Sequence, residues 1–249
     1  EHLNTLGSPD EAVFYTSGRT SNEAAFLYQL MVRSLGTNNL PDCSNMCHES
    51  SGTALMESIG IGKGSVTVDD VEHADLIVIA GQNPGTNHPR MLTVLERAKA
   101  NGAKIIAVNP LPEAGLIRFK NPQNVRGVLG GGTPIADEFV QIRLGGDMAL
   151  FQGIGRLLLE ADRIDRDFIA AHCHGFDEYA AHLREVNLDT VCEAAGIGRE
   201  QLDRVADMMA RSRRTVVCWA MGLTQHAHSV ASIEEITNVL LLRGMIGKP

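Results

Sequence analysis

The chain has 249 residues, 44% hydrophobic and 21% charged, a composition that excludes a disordered, collagen-like or coiled-coil chain. With 22 basic and 30 acidic residues its formal charge is −8. The basic footprint of a non-specific nucleic-acid binder is therefore absent, and a small-molecule partner is expected instead. No apolar run approaches the roughly 18 residues needed to span a bilayer, so no membrane insertion is expected.

Five cysteines at 43, 47, 173, 192 and 218 are too few and of the wrong parity for a disulfide framework, and point to reduced thiols in the cytoplasm. A start without Met and a stop at Pro249 read as the ends of a piece of a longer protein. In chain order, a short apolar run at Ala12–Thr16 precedes a helix whose Thr20 and Glu23 fit a capping box. Leu27, Leu30, Met31 and Leu35 give that helix an apolar face. Gly36–Pro41 ends it and marks a boundary, which divides a segment 1–41, part of a neighbouring α/β domain, from a larger domain 42–249.

From there the pattern alternates. Leu76–Ala80 is a β-branched run typical of a strand buried on both faces, followed by Gly81–His88 and a helix that opens at Pro89. Lys104–Val108 runs into Asn109-Pro110. Phe139–Ile142 runs into Leu144–Asp147 and a helix to Glu160, and Thr215–Trp219 runs into Met221–Gln225. Three or four amphipathic helices fill 165–212, and a last one covers 229–243. This alternation predicts an α/β fold: an open, doubly wound, mostly parallel, Rossmann-like sheet with helices on both faces, plus the small N-terminal α/β segment. The loops at 81–87, 109–111, 145–147 and 221–225 then converge on the carboxyl edge of the sheet, where such folds bind ligands. Their Asn, Thr, Asp, Gln and Gly suit a bulky nucleotide-like ligand.

Residues 41–53 carry the chemistry. Cys43, Cys47 and His48 offer three zinc ligands but no convincing fourth. As a Cys–His nucleophile pair they are adjacent in sequence, and neighbouring side chains diverge. The third reading is a thiolate on a soft transition metal held by a non-protein group, with His48 beside it for proton transfer. Buried structural thiols are the plain alternative, and spacing does not choose among the four.

A resemblance does. Phe14–Ala25, Gly36–Asn39, Asp42-Cys-Ser-Asn-Met-Cys-His-Glu49, Gly81-Gln-Asn-Pro-Gly-Thr-Asn-His-Pro-Arg90, Gly145–Leu150 and Gly222-Leu-Thr-Gln-His226 together resemble, in order, the molybdopterin-dependent oxidoreductases of the formate dehydrogenase alpha-subunit type. The resemblance implies Cys47 as the catalytic thiolate that ligates molybdenum or tungsten and His48 as its proton-handling neighbour. It implies that Asn83 and Thr86, Asn109, Gly145 and Asp147, and Met221, Gly222 and Gln225 contact a bis-molybdopterin guanine dinucleotide cofactor. Relatives often carry Asp where Asn109 stands; Asn keeps an acceptor and loses the charge. A two-electron or hydride oxidation of formate or a similar small substrate is implied, with electrons leaving to a partner. A 4Fe-4S cluster is expected outside these residues, as is an Arg near the substrate, so the fragment alone should be inactive. The stretch 119–138 is a loop that better-known formate dehydrogenases lack.

Other motifs carry less. Gly60–Gly64 neither follows a strand nor opens a long helix, and reads as a turn. His226 and His228 have no metal-site spacing and read as surface or cofactor-lining residues. Cys173, Cys192 and Cys218 read as structural thiols, Met208 and Met209 as core filling, and Arg211, Arg213 and Arg214 as a solvated turn. A nucleotide-binding α/β module without redox activity is the competing function. A nicotinamide dehydrogenase lacks its Gly-x-Gly-x-x-Gly after any strand.

Overall fold

The computed structural model describes residues 2–17, 20–41 and 47–247, which form two compact units, Glu1–Glu49 and Ser50–Pro249.

In the first unit, helix α1 spans Asn22–Ser34. Its N-cap is Ser21, whose hydroxyl accepts from the Ala24 N–H at 3.3 Å, one residue later than the expected capping box. Thr20 instead faces Thr16, hydroxyl to hydroxyl at 2.8 Å. With Ala24 at the third helical position there is no carboxylate to close a box. After a 3-10 turn at Pro9–Glu11, the chain from Ala12 is stitched to 37–39: Asn39 Nδ2 donates to the Ala12 carbonyl at 2.8 Å, and the Phe14 N–H donates to the Asn39 carbonyl at 3.0 Å. The expected apolar face of α1 exists as a stripe but is not buried. Leu27, Leu30, Met31 and Leu35 are all exposed, and Val32 is the helix's one buried residue. Periodicity marks a face that could be covered; it does not supply the cover.

The second unit is built on four parallel strands: β1 (Leu76–Ala80), β2 (Lys104–Asn109), β5 (Glu138–Gln141) and β6 (Thr215–Trp219), in spatial order β5-β2-β1-β6. The register puts Leu76 opposite both Lys104 and Thr215. Helix α2 (Glu49–Ile59) and the capped turn α3 (Val68–Glu72) precede β1; α4 (Pro84–Asn87) and α5 (Pro89–Ala100) follow it. The stretch 119–138, read from sequence as a loop, carries order of its own. After α6 (Ala114–Ile117), β3 (Arg118–Phe119) pairs antiparallel with β4 (Thr133–Pro134), and α7 (Val125–Leu129) lies between them. Five helices then run in sequence: α8 (Asp147–Glu160), α9 (Arg166–His172), α10 (Phe176–Glu185), α11 (Leu188–Ala195) and α12 (Arg199–Arg211). A short α13 (Met221–Thr224) and α14 (Ser229–Leu242) follow β6.

Each strand alternates its side chains between two cores. Leu76, Val78, Ile106, Val108 and Val140 meet Leu150, Phe151, Ile154 and Leu158 of α8 and the inner faces of α11, α12 and α14. Ile77, Ile79, Ile105 and Ala107 meet Leu92 and Leu95 of α5 on the opposite face. Burial on both faces is why these strands are continuous β-branched runs. At the amino end of the sheet, Asp75 accepts from the main-chain N–H groups of Arg213 and Arg214 and from the Arg214 guanidinium at 2.8 Å. Arg213 and Arg214, expected as a solvated turn, therefore brace β1 against β6; Arg211 alone pairs within its own helix, with Asp207.

Candidate functional site

The chain moves outward from β1 to β2 to β5 and then returns to the far side of β1 for β6. The gap between the carboxyl ends of β1 and β6 is therefore the topological switch point, where open α/β sheets leave a crevice. Gly81 follows β1 with φ +59°, and its carbonyl accepts from the Gly222 N–H at 3.0 Å. A Cβ on Gly222 would lie 2.5 Å from the Gly81 Cα, and one on Gly81 would lie 2.8 Å from the Gly222 carbonyl carbon. Main chain touches main chain, and only glycine allows it.

The loop after β2 ties into this pair. Asn109 is buried; its Nδ2 donates to the Gln82 main-chain carbonyl at 3.4 Å and its Oδ1 accepts from the Leu111 N–H at 3.3 Å. It thus closes its own Asn-Pro turn and fastens it to the loop after β1. Asn83 caps α4 by accepting from the Thr86 N–H at 3.1 Å. Behind it, Gly85 and Gly115 meet closely enough that a Cβ on Gly115 would lie 2.7 Å from the Gly85 Cα. Asp147 opens α8 and is only 7% exposed. Burial pushes its carboxyl above the ordinary carboxylate value, opposed by its own backbone hydrogen bond and by His226. Gly145, just before it, has φ +81° and open space where a Cβ would be, leaving main chain accessible at a helix N-terminus.

Of the residues expected from sequence, Asn83, Thr86, Asn109, Gly145, Asp147, Met221, Gly222 and Gln225 all lie on these loops in one unit. Thr86, Met221, Gly222 and Gln225 are exposed, whereas the side-chain oxygens of Asn83 and Asn109 already serve the local backbone. Cys47 is half-buried and His48 exposed in the first unit. Cys43 lies outside the described residues. Among the described residues no cluster of three His, Cys, Asp or Glu could hold a metal ion, and no helix is long and apolar enough to cross a membrane. Burial pushes the Cys173 and Cys192 thiols up, and that of Cys218 up to about 11, as structural thiols require.

Two residues escaped sequence reasoning. Gln82 and Thr224 are each more than nine-tenths buried, and Gln82 Oε1 and Thr224 Oγ1 have no hydrogen-bond partner. Buried polar atoms are rarely left unpaired unless something polar completes them. Their position beside the glycine contact was the available signal. The glycine cradle, the two orphaned oxygens and the buried Asp147 carboxyl together fit a large polar ligand with its own donors.

Comparison with known proteins agrees. The molybdopterin oxidoreductase family model matches residues 2–249. An uncharacterized oxidoreductase of Mycobacterium tuberculosis is 76% identical over 255 residues, covering 100% of this chain and 33% of that protein. Protein YdeP of Escherichia coli is 46% identical, covering 99% of the chain and 34% of that protein. Formate dehydrogenase H of Escherichia coli is 28% identical over 94% of the chain and 30% of its own length. The chain thus spans about a third of the length of the curated relatives it matches. The fold is that of acetylene hydratase from Pelobacter acetylenicus, with a TM-score of 0.70 at 19% identity over 99% of the chain and 31% of that structure. The chain belongs to the molybdopterin oxidoreductase family.

Proposed function

We propose that residues 42–249 form the first dinucleotide-binding domain of a cytoplasmic molybdenum or tungsten bis-pterin oxidoreductase, with 1–41 belonging to a neighbouring α/β domain. The observation that carries this reading is the carboxyl edge, where the loops after β1, β2 and β6 are pinned together with two orphaned buried oxygens, and the loop after β5 carries one buried carboxyl. Residues of this kind suit a guanine dinucleotide. A carboxylate such as Asp147 accepts the paired N–H donors of a guanine edge, and the open main chain at Gly145, before the N-terminus of α8, accommodates phosphate. Asn83, Thr86 and Asn109 shape the loops on one side, and Met221, Gly222 and Gln225 line the other. The bound group supplies two-electron redox chemistry at its metal; the chain positions and tunes it.

In this reading Cys47 is the thiolate ligand of that metal and His48 holds or passes the substrate proton. The substrate is formate or a similar small molecule. A 4Fe-4S cluster lies elsewhere in the whole protein, and the electrons pass on to a separate electron-transfer partner. The test is elemental and pterin analysis of the full-length protein purified without oxygen, wild type against Cys47→Ala. The expected result is stoichiometric molybdenum or tungsten with released guanine dinucleotide in the wild type. In the variant, redox turnover falls by at least about a thousandfold while dinucleotide content stays within twofold; each 1.4 kcal/mol of lost transition-state stabilisation is tenfold. Nucleotide without metal or pterin would establish the non-redox binding module instead.

A further inference from the structure

From sequence His226 reads as a surface or cofactor-lining residue; its ring fastens the turn that carries the Gly222 contact. Its Nε2 lies 2.7 Å from the Gly222 carbonyl. A carbonyl only accepts, so Nε2 carries the proton and donates. The carbonyl that it holds belongs to the glycine in contact with Gly81. The His226 main-chain carbonyl accepts from the Ser229 N–H at 3.2 Å, so the residue links α13 to the start of α14.

We propose that His226 is a positioning residue of the dinucleotide site, fixing through the Gly222 carbonyl the turn after β6 that touches the loop after β1. This rests on the reading of the site as a pterin dinucleotide pocket. The Gly222 carbonyl lies on the exposed side of α13 and could be hydrated, so folding alone does not demand the imidazole. The ligand does, because the turn that touches the loop after β1 must keep one conformation.

The test uses full-length protein from a host that makes the cofactor. It follows the rate at which pterin dinucleotide is lost on dialysis, with thermal midpoint as the control. Losing this hydrogen bond should speed loss from His226→Ala about tenfold, while the midpoint moves by less than about 2 °C. In His226→Gln the amide Nε2 donates to the same carbonyl and recovers most of that loss. Unchanged retention in His226→Ala overturns the proposal. So does a Gln variant no better than Ala with both midpoints lowered together, which would make the residue a folding contact only. A wild-type protein that releases no pterin overturns the underlying reading, and this inference with it.

Discussion

A methyl group at position 222 has nowhere to go, because the Gly81 Cα would lie 2.5 Å away and is backbone that cannot rotate aside. Gly222→Ala should therefore destabilise the chain by about 1–3 kcal/mol and separate the loops at the switch point, checked by denaturant midpoint and by dinucleotide retention. Asp147 predicts the opposite combination. Its carboxyl is held above the ordinary value by burial, so ionisation at neutral pH opposes folding and becomes less costly as pH falls through the raised folded value. Asp147→Asn should leave the ligand-free chain as stable at pH 7 or more so, while weakening dinucleotide retention. A variant that loses stability at pH 7 without losing ligand would contradict this. At this scale the sequence revealed residue types better than tasks. Asn83 and Asn109 were legible as polar loop residues, but their side-chain oxygens turn back on the local backbone. Gln82 and Thr224 were silent because an orphaned atom is defined by its neighbours.

Whether an apolar stripe is buried decides what truncating it costs. Leu158 of α8 is 1% exposed, within the core that α8 shares with α12 and α14, so Leu158→Ala should cost about 2–5 kcal/mol. Leu27 of α1 is 64% exposed, and Leu27→Ala should stay within about 0.5 kcal/mol. Urea unfolding of the same chain distinguishes the two. The long elements were readable for definite reasons: β-branched runs for the strands, Pro89 at the start of α5, and Asn101-Gly102 at its end, where Gly102 has φ +97°. The short ones were not. The two-residue strands β3 and β4 offer no period to detect, and α2 follows directly on the Cys-His segment, whose chemistry hides its helical spacing. The Ser21 cap differs from the expected Thr20 because both hydroxyls suit the role, and only the Thr16 contact assigns Thr20 elsewhere.

Across the whole molecule, the alternation of strands and helices made a parallel sheet legible, whereas the strand order β5-β2-β1-β6 and the crevice that follows from it come from the structure. What sequence could not give is the brace at the amino end of the sheet, where Asp75 meets Arg214 across 139 residues. The Arg214 guanidinium, with the Arg213 and Arg214 N–H groups, holds the Asp75 carboxyl below its ordinary value. A lowered folded value gives stability that is present above the unfolded value, near pH 4, and is lost as pH falls through the folded one. The stability difference between wild type and Asp75→Asn should thus be full at pH 7 and shrink toward pH 3, as measured by urea midpoints. A difference independent of pH would show that the charge is not what matters.

The Gly81–Gly222 contact has a consequence for how such a protein can change. The loops are joined by one main-chain bond, from the Gly222 N–H to the Gly81 carbonyl, and by the Asn109 and His226 side chains, which donate to the Gln82 and Gly222 carbonyls. None of these joints uses the side chains of Gln82, Thr224, Met221 or Gln225. On the proposed reading those four can vary, and with them what is recognised, without redrawing the crevice. In a library randomised over both sets, survivors should be diverse at those four positions and almost all glycine at 81 and 222. Laboratory evolution toward a different nucleotide has its room to move in the first set and a fixed hinge of inheritance in the second.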